Sequence, residues 1–538
     1  HATHATHATH ATHATHATSA TRTAGAESAW RAAPATSGGA GAQAAAGRTR
    51  PAPAAKDAPP AASRTRPETA ARGVRAAVAA AALLAGCARD GGQRPQATLA
   101  HADRFAATAT LADAHVSPAA WPAADWWKRY GDAQLDQLVA EALAGSPTLR
   151  IAQARVRLAQ AAEGLADAAG APQLGAAARS TRQLYSENST VPKPLAGSSR
   201  WANEATLNFS YELDFWGKNQ ATLAAAVGRR NAAEVDAQAS RLMLEVAVTQ
   251  AYLRLSQAHA QLELAQSVLK QREHVLQLTR QRVAAQLDSS VDLKQAELAL
   301  PVAREQIAAA QESIALLHAQ LAALLGAGPD RGASIARPQL QAVRPAGLPS
   351  RLPSELLARR PDVVAQRWRV EAQLQDIKAA QAQFYPSFNL ASLVGLQSLG
   401  FSKFLQGGSQ VANLGGGLSL PIFDGGRLRS NLALRNAEYD IAVEQYNQTL
   451  VDALRDVASQ ITSIHWLQER SAYQEQALDT AQQAYQLAVQ RYQTGLGNYL
   501  QVLAAESQVL TQQRARIDFD ARAFDLDMNL VRALGGGF

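Results

Sequence analysis

Histidines are the residues of this sequence best suited to bind metal or transfer protons. Six of the twelve lie in a His-Ala-Thr repeat over residues 1–18. No G-x-S-x-G, P-loop or dinucleotide-binding fingerprint stands in a suitable context. The sequence therefore predicts a protein that is not an enzyme and holds no metal or cofactor. The other six histidines lack the spacing of a metal site: His101, His115, His259, His274, His318 and His465.

The single cysteine, Cys87, indicates chemistry of another kind. It follows a charged stretch at 72–75, an apolar run at 76–84, and then Ala85-Gly86. That order is typical of a signal peptide, and the run is far shorter than the ~20 residues that span a bilayer. Leu-Ala-Gly-Cys resembles the processing signal of bacterial lipoproteins. The resemblance implies a covalent lipid on Cys87 and, with Ala88 next rather than aspartate, sorting to the outer membrane.

The basic charge of the chain is concentrated near its start. Residues 1–86 contain nine Lys/Arg and three Asp/Glu, which leaves 43 against 42 of the total 52 and 45. A nucleic-acid-binding protein carries its charge on the folded part, so nucleic acid is not an expected partner. Residues 1–73 are low in complexity and nearly free of large aliphatic side chains, so we predict no fold for them.

The rest of the chain consists of two similar copies of one sequence unit. Ala144-Gly145-Ser146-Pro147 is matched 214 residues later by Ala358-Arg359-Arg360-Pro361. Further along the offset becomes 209, where Arg282 is matched by Arg491, and it stays there. A change of five residues between these blocks is a difference in loop length, which costs little. A repeat of this length predicts two structurally equivalent halves.

Each copy is predicted to contain a helix, two strands and a hairpin of two long helices. The long helices carry an apolar residue every seven positions from Val248 to Val283, with alanines between, which is typical of a coiled coil. A helix over 218–284 is about 100 Å long at 1.5 Å per residue. The predicted segments are 132–168, 173–184, 203–214, 218–284 and 291–325, and then 352–382, 386–396, 413–423, 427–493 and 498–534.

The strands distinguish this chain from a soluble coiled-coil scaffold. From Ala205 to Phe215 apolar residues alternate with polar ones, which is typical of a barrel strand with lipid on one side and water on the other. Each strand is long enough to cross a bilayer when tilted. Four strands cannot close a barrel, and open edges are not tolerated in lipid. Closure requires several chains, and three would supply twelve strands, an even number within the range of such barrels.

Five motifs occur in order along the chain. They are Asp125-Trp126-Trp127-Lys128-Arg129-Tyr130-Gly131-Asp132, Leu356-Leu357-Ala358-Arg359-Arg360-Pro361-Asp362-Val363, Phe384-Tyr385-Pro386, Leu420-Pro421-Ile422-Phe423-Asp424-Gly425-Gly426-Arg427 and Arg491-Tyr492-Gln493-Thr494-Gly495. Together with the cysteine signal and the repeat, they resemble the outer-membrane efflux lipoproteins of the NodT/OprM type, which are relatives of TolC. The resemblance covers about residues 84–537.

The resemblance implies an α+β membrane protein: a homotrimeric 12-stranded β-barrel, with four strands per chain, continued by a long α-helical coiled-coil barrel. It implies a lipid-anchored exit duct in the outer membrane, with helices in the periplasm, that serves a tripartite efflux pump. Its partners would be a periplasmic adaptor protein, an inner-membrane transporter and outer-membrane lipid. The expected segments are a signal peptide at 74–86, a lipidated segment at 87–134, repeat one at 135–326, a linker at 327–348 and repeat two at 349–538.

The resemblance also places two sites near the turns of the long hairpins. One turn carries Gly495, where glycine accepts a positive φ cheaply, and the other carries Gln286 in its place. A periplasmic gate is expected about thirteen residues before Gly495, at Leu478, Asp479 and Gln482. Adaptor docking is expected at the tips themselves: Arg282, Gln286, Leu287, Asp288, Arg491, Gly495 and Leu496.

The sequence also allows two other functions. A duct of the same architecture could export proteins together with an ATP-driven transporter. A periplasmic coiled-coil scaffold without a pore is the third hypothesis, and the alternating strands count against it.

Overall fold

The computed structural model describes residues 92–100, 121–341 and 359–538. Cys87, the predicted signal peptide at 74–86 and the low-complexity residues 1–73 lie outside the described residues. The elements below belong to one unit, Arg72–Phe538.

The first half begins with a 3-10 turn, Trp126–Tyr130, and continues through two short helices into a strand pair and a long hairpin. The hairpin folds back on itself, because α3 and α4 pack against each other. The elements are α1 Ala133–Gly145, α2 Pro147–Ala169, β1 Gln173–Leu184, β2 Ser199–Leu213, α3 Lys218–Ala284, α4 Ser290–Leu325 and the short α5 Pro329–Ala333.

The second half repeats this order of helix, two strands and long hairpin. Its two long helices, α7 and α8, also pack as a hairpin. Its elements are α6 Pro361–Ala382, β3 Ser387–Leu399, β4 Gln410–Ser419, α7 Arg427–Gln493 and α8 Tyr499–Ala533. The predicted fold class with two internal repeats and four strands is confirmed.

Some predicted boundaries were wrong. The single helix expected over 132–168 is two helices, because Pro147 has no N–H to continue α1 and Ser146 is extended with ψ 126°. The fourth strand ends at Ser419 rather than 423, since Pro421 follows and cannot donate to a ladder. The strands expected at 203–214 and 386–396 span Ser199–Leu213 and Ser387–Leu399.

The four strands form one antiparallel sheet in the order β1-β2-β3-β4. The helices attached to them lie in the matching order, because α2 packs on α3, α3 on α6, and α6 on α7. Within the described residues, β1 and β4 are therefore edge strands, and α2 and α7 are the outer helices of the row.

A buried cluster packs the first motif against the middle of α3 and the end of α8. Trp126, Tyr130 and Leu135 pack there with Tyr252 of α3 and residues of α8. Asp132 caps α1, accepting a hydrogen bond from the backbone N–H of Gln134 at 2.9 Å, and also accepts one from the Tyr252 hydroxyl at 2.8 Å.

Arg360, at the start of α6, connects this helix to the end of α8. Its guanidinium donates to both carboxylate oxygens of Asp362 at 3.0 and 2.6 Å. It also donates to the carbonyl of Ala533, near the end of α8, at 3.3 Å. Pro361 occupies the first turn of α6, where a missing N–H costs nothing. The Arg-Pro-Asp motif thus joins α6 to the end of the second hairpin.

Candidate membrane face and hairpin tips

The sheet has one apolar and one polar face. Leu207 is paired with Ala176 on β1 and Val394 on β3, and Val394 in turn with Ala412 on β4. Directly paired residues of antiparallel strands point to the same side, so this row is apolar across all four strands. The rows above and below it add Leu174, Phe209, Tyr211, Leu213, Phe388, Leu390, Leu396, Leu414 and Leu418.

The opposite face carries the polar partners. Asn208 is paired with Gly175 and Leu393, and Glu204 with Arg179 and Gln397. The alternation of β2 therefore extends to these positions of β1 and β3, although Leu393 is an apolar residue on the polar face. On the apolar face, Leu207 is 49% exposed and Leu414 76% exposed. No described residue covers these side chains, so the face suits contact with lipid.

Aromatic pairs stand at both ends of β2. At one end the rings of Trp201 and Phe401 are 5.7 Å apart. At the other end Trp216 stacks on Tyr385 with ring centroids 4.6 Å apart, and its indole N–H donates to the carbonyl of Pro386 at 2.8 Å. Aromatic girdles at both borders of the apolar band are typical of outer-membrane barrels.

The two hairpin tips have the same backbone turn. The N–H of Leu287 donates to the carbonyl of Arg282 at 2.9 Å, and the N–H of Leu496 donates to the carbonyl of Arg491 at 2.8 Å. These bonds are those of a Schellman motif, which requires a left-handed residue after the helix. Gly495 fills that position in one tip with φ 78°, and Gln286 fills it in the other with φ 58°.

This difference predicts opposite effects of two substitutions. Gly495→Ala should weaken its tip by about 1 kcal/mol, because a Cβ is unfavourable at positive φ. Nothing lies within 4 Å of the position, so no clash adds to this cost. Gln286→Gly should stabilise the other tip, because glycine adopts the positive φ without strain. The gain should stay below about 1 kcal/mol, because glycine also loses more backbone entropy on folding.

Amide hydrogen exchange at Leu496 and Leu287 measures both effects. We expect faster exchange of Leu496 in Gly495→Ala and slower exchange of Leu287 in Gln286→Gly. Slower exchange of Leu496 in the alanine variant would contradict the left-handed assignment of this turn.

A buried polar cluster joins the two tips. Arg282 donates to Asp288 through Nε at 2.9 Å and through Nη2 at 3.2 Å, and its Nη1 donates to the Tyr492 carbonyl at 2.8 Å. The Tyr492 hydroxyl donates to Asp288 and also contacts Thr279 Oγ1 at 3.1 Å. The guanidinium lies 4.5 Å from the centre of the Tyr492 ring. The cluster holds the α3–α4 hairpin against the end of α7.

The pKa values in this cluster follow from those contacts. Burial alone would raise the pKa of Asp288, but hydrogen bonds from Arg282 and Tyr492 outweigh it and lower that pKa below its usual value. Burial, together with the hydrogen bond to Asp288, raises the pKa of Tyr492 to about 12. At neutral pH, Asp288 is therefore ionised and Tyr492 is a neutral donor.

The tip residues named from the sequence fall into two groups. Leu287 and Leu496 are 65% and 74% exposed and face outward, like Gln286 and Gly495. Arg282 and Asp288 instead turn toward each other and are largely buried. Arg491 is exposed and donates to the carbonyl of Leu496. Sequence reasoning gave Tyr492 no role, although it stands in the quoted Arg491–Gly495 motif.

A second link between the hairpins lies farther from the tips. Arg272 of α3 donates to Glu506 of α8 at 3.3 Å and to the carbonyl of Ala299 of α4 at 3.0 Å. Both side chains are largely buried. Burial raises the pKa of Glu506 more than Arg272 lowers it. Nothing in the two local sequences signals this pair, because its members are far apart in the chain.

The three residues expected at a gate differ in their surroundings. Leu478 is half-buried, one turn after Gln474, whose side-chain amide donates to the carbonyl of Gln512 on α8 at 2.9 Å. Leu478 also stands seven residues before Tyr485, which packs in the cluster near the tips. Asp479 and Gln482 are exposed. Among the described residues, Asp479 accepts a hydrogen bond from Gln483 of the same helix at 2.8 Å.

No group of three or more His, Cys, Asp or Glu that could hold a metal ion occurs among the described residues. The features present are a two-faced sheet, aromatic girdles and long helical hairpins. They are the features of a channel protein of the outer membrane.

Comparison with known proteins agrees with this class. Residues 138–327 and 352–536 match the family described as outer membrane efflux protein. The chain is 42% identical over 365 residues to the fusaric acid resistance protein FusA of Burkholderia cepacia, which covers 67% of this chain and 69% of that protein. It is 33% identical over 437 residues to the multidrug resistance outer membrane protein MdtP of Escherichia coli K12, covering 79% and 89%.

A solved structure has the same fold. The outer membrane protein VceC of Vibrio cholerae superposes with a TM-score of 0.73 at 41% identity, covering 78% of this chain and 100% of that one. The chain belongs to the outer membrane efflux protein family. The resemblance read from the five motifs is confirmed, and so are the efflux function and the location in the outer membrane.

Proposed function

We propose that this protein is the exit duct of a tripartite efflux pump and works as a homotrimer. The observation that carries the proposal is the sheet, which is apolar on one face and has two edge strands without partners among the described residues. Lipid does not tolerate open edges. If β4 of each copy pairs with β1 of the next, three copies close a barrel of about twelve strands, within the range of such barrels.

The partners are proposed from the two ends of the molecule. The tips expose Leu287 and Leu496 far from the sheet, where a periplasmic adaptor protein could bind and couple the duct to an inner-membrane transporter. Small molecules are the proposed cargo, in keeping with the names of the fusaric acid and multidrug resistance relatives. No specific observation favours protein secretion or a scaffold without a pore. The duct itself needs no cofactor and catalyses nothing.

The test is purification from outer membranes followed by reconstitution in planar bilayers. We expect SDS-resistant trimers with a defined single-channel conductance. A strain that lacks the gene should also become more sensitive to several small toxic compounds. A monomer that forms no channel and leaves sensitivity unchanged would refute the proposal.

We further propose that the duct is narrowed at rest near Leu478, Asp479 and Gln482. Under threefold symmetry each side chain that faces the axis appears three times around it. Leu478→Ala together with Gln482→Ala should raise resting conductance. The first change removes a large apolar side chain that would exclude water from the pore, and the second removes an amide that could bridge neighbouring copies. Single-channel recording measures the change, with Gln476→Ala plus Thr480→Ala, on the opposite side of α7, as the matched control. Equal conductance of both variants and wild type would place the constriction elsewhere.

We also propose that lipid anchors the mature chain through Cys87. An acyl chain contributes about 0.8 kcal/mol per buried CH₂. Cys87→Ser should lose labelling by radioactive palmitate, because the thiol that would carry the lipid is gone. Mass spectrometry that found an unmodified cysteine inside a longer mature chain would contradict this assignment.

A further inference from the structure

A cleft of about 740 Å³ lies where the sheet joins the two middle helices of the row, α3 and α6. Three separate segments line it: the start of α3, the end of α6 and the chain at 92–100. Together they supply two cations, several amides and an aromatic pair. Among these side chains are Arg94, Trp216, Gln220, Lys378, Gln381 and Tyr385. Such a set of groups suits a ligand that is both charged and amphipathic.

The aromatic pair gives the depth of the cleft in the membrane. Leu213 and Phe388 are the last paired residues of β2 and β3 on the side of the helices. Trp216 follows Leu213 by three residues, Tyr385 precedes Phe388 by three, and their rings stack 4.6 Å apart. Tryptophan and tyrosine are enriched at the level of the lipid headgroups. The cleft therefore lies at headgroup depth, in the leaflet that faces the helices and the periplasm.

The segment 92–100 approaches the cleft along helix α7. The backbone N–H of Ala100 donates to the side chain of Asn447 at 2.8 Å, and that of Gln96 donates to Asp440 at 2.9 Å. Since α7 starts beside the sheet, the segment comes nearer to the sheet as its residue numbers fall. Its basic residue thus stands at the end of the segment that is nearest the membrane.

The same segment indicates which surface carries the cleft. Cys87, the proposed attachment point of lipid, stands seven residues before Arg94. An attached acyl chain has to lie in the bilayer, outside the duct. The surface along which segment 92–100 runs is therefore the outer one, and a cleft lined by Arg94 opens to lipid rather than to the pore.

The two cations of the cleft have no acidic partners in the described parts of the chain. Neither Arg94 nor Lys378 forms an ion pair there, and both side chains are exposed. Two positive charges that line one cleft repel each other unless an anion lies between them. Acidic residues of the same elements already have partners: Glu212 with Lys218, Asp376 with Arg229, and Asp214 with the backbone N–H of Gln220. The cleft therefore retains an excess of positive charge.

The other half of the chain shows that the fold does not require these residues. The equivalent positions, at offsets of 214 for α6 and 209 for α3, carry small residues without charge or rings. The pairs are Lys378 with Gly164, Tyr385 with Ala171, and Trp216 with Gly425. Both halves nevertheless form the same junction of strands and helices. The cation and the rings thus serve a purpose other than holding this junction together.

We infer that the cleft binds the headgroup of an anionic phospholipid from the periplasmic leaflet of the outer membrane. Its phosphate lies between Arg94 and Lys378, which supply charged donors. The side-chain amides of Gln220 and Gln381 donate to the glycerol and ester oxygens. The acyl chains follow the apolar face of the sheet past Phe215, which is 64% exposed. Basic pockets at the membrane surface bind anionic headgroups in this way.

The charge of the cleft also determines which phospholipid it prefers. A phosphatidylglycerol headgroup brings one negative charge and no cation. A phosphatidylethanolamine headgroup brings an ammonium group into a cleft that is already positive, so it should bind more weakly. The bound lipid connects segment 92–100 to α3 and α6. The inference adds a lipid partner to the exit duct, and it rests on the proposed anchor at Cys87 only for the choice of the outer surface.

Native mass spectrometry of the full-length protein tests the site. The protein is purified in detergent and titrated with phosphatidylglycerol, and the lipid molecules bound per chain are counted. Arg94→Ala plus Lys378→Ala should weaken binding about tenfold or more, because two hydrogen bonds to a charged group are lost. Arg94→Lys plus Lys378→Arg keeps both charges and should bind nearly as well as the wild type. Tight binding by the alanine variant would overturn the inference.

A control variant removes the same charge at the opposite end of the sheet. Arg200 and Lys403 are exposed there, and Arg200→Ala plus Lys403→Ala should bind phosphatidylglycerol like the wild type. Equal losses in the two double-alanine variants would mean that total charge, not the cleft, attracts the lipid. Phosphatidylethanolamine that binds as tightly as phosphatidylglycerol would overturn the preference for an anionic headgroup. Displacement of phosphatidylglycerol by an equal concentration of inorganic phosphate would make this a site for free anions and overturn the lipid.

The same experiment separates this inference from the proposed exit duct. All residues of the cleft belong to one chain, so bound lipid is counted per chain whether or not the chain forms trimers. Trimeric channels that bind no phosphatidylglycerol would overturn the lipid site and leave the duct intact. A monomeric protein without channel activity that still binds the lipid through Arg94 and Lys378 would refute the duct and support the site.

Discussion

Replacing Leu207 by arginine is expected to abolish assembly of the protein in the outer membrane. Leu207 lies mid-strand in a row that is apolar across all four strands, and it is 49% exposed. An arginine on the lipid face near the bilayer midplane costs about 2–4 kcal/mol in a membrane barrel. In a trimer this cost applies three times. The amount of SDS-resistant trimer in purified outer membranes should fall more than tenfold.

The adjacent residue supplies the matched control. Asn208 lies on the polar face of the same strand, so Asn208→Arg should assemble normally. It should lower single-channel conductance for cations, because three positive charges then line the water-filled interior. The face assignment would be wrong if Asn208→Arg failed to assemble and Leu207→Arg assembled normally.

Substitution of Asp288 by asparagine is expected to loosen the tips and raise resting conductance about tenfold. The carboxylate of Asp288 accepts hydrogen bonds from Arg282 of its own hairpin and from Tyr492 of the other hairpin. Bonds to a charged group contribute about 1.5–3 kcal/mol each, and 1.4 kcal/mol shifts an open–closed equilibrium tenfold. Tyr492→Phe keeps the ring beneath Arg282 and removes only the hydroxyl, so its effect should be smaller and in the same direction.

Asp292→Asn is the control for this experiment. Asp292 lies at the same tip, but within the described part of the chain its hydrogen bonds are those of the capping box of α4 with Ser289. It should leave resting conductance unchanged. Equal conductance of the Asp288 and Asp292 variants would mean that the cluster does not hold the tips closed.

The same cluster sets an expected pH dependence. The pKa of Asp288 is lowered in the folded protein, so its contribution is present in full above the ordinary aspartate value of about 4. The contribution is lost as the pH falls through the lowered pKa. Resting conductance should thus stay constant between about pH 5 and pH 8 and rise only in stronger acid. A rise already at pH 5 would indicate a different titrating group.

Features of the fold that depend on residues close together in the chain were predictable from the sequence. The bounds of helix α3 were predicted correctly, because a repeated apolar spacing is a local signal. The break at Ser146 was missed, although Pro147 signals it, since proline lacks the N–H that would continue α1 and occupies the first turn of α2. The gate residues Leu478 and Gln482 stay predictions, since their orientation about the axis depends on other copies.

By itself, the sequence determined the repeat, the long hairpins and the two-faced strands. Each follows from periodicity along one segment, which the backbone converts directly into a face of a helix or a side of a sheet. Tertiary structure alone decided which faces meet. Ile151 and Ala365 occupy equivalent positions, yet one is exposed and the other buried. Likewise, Tyr492 reaches Asp288 across 204 residues. Contacts of this kind depend on how separate elements pack, and they cannot be predicted from the spacing of residues within one segment.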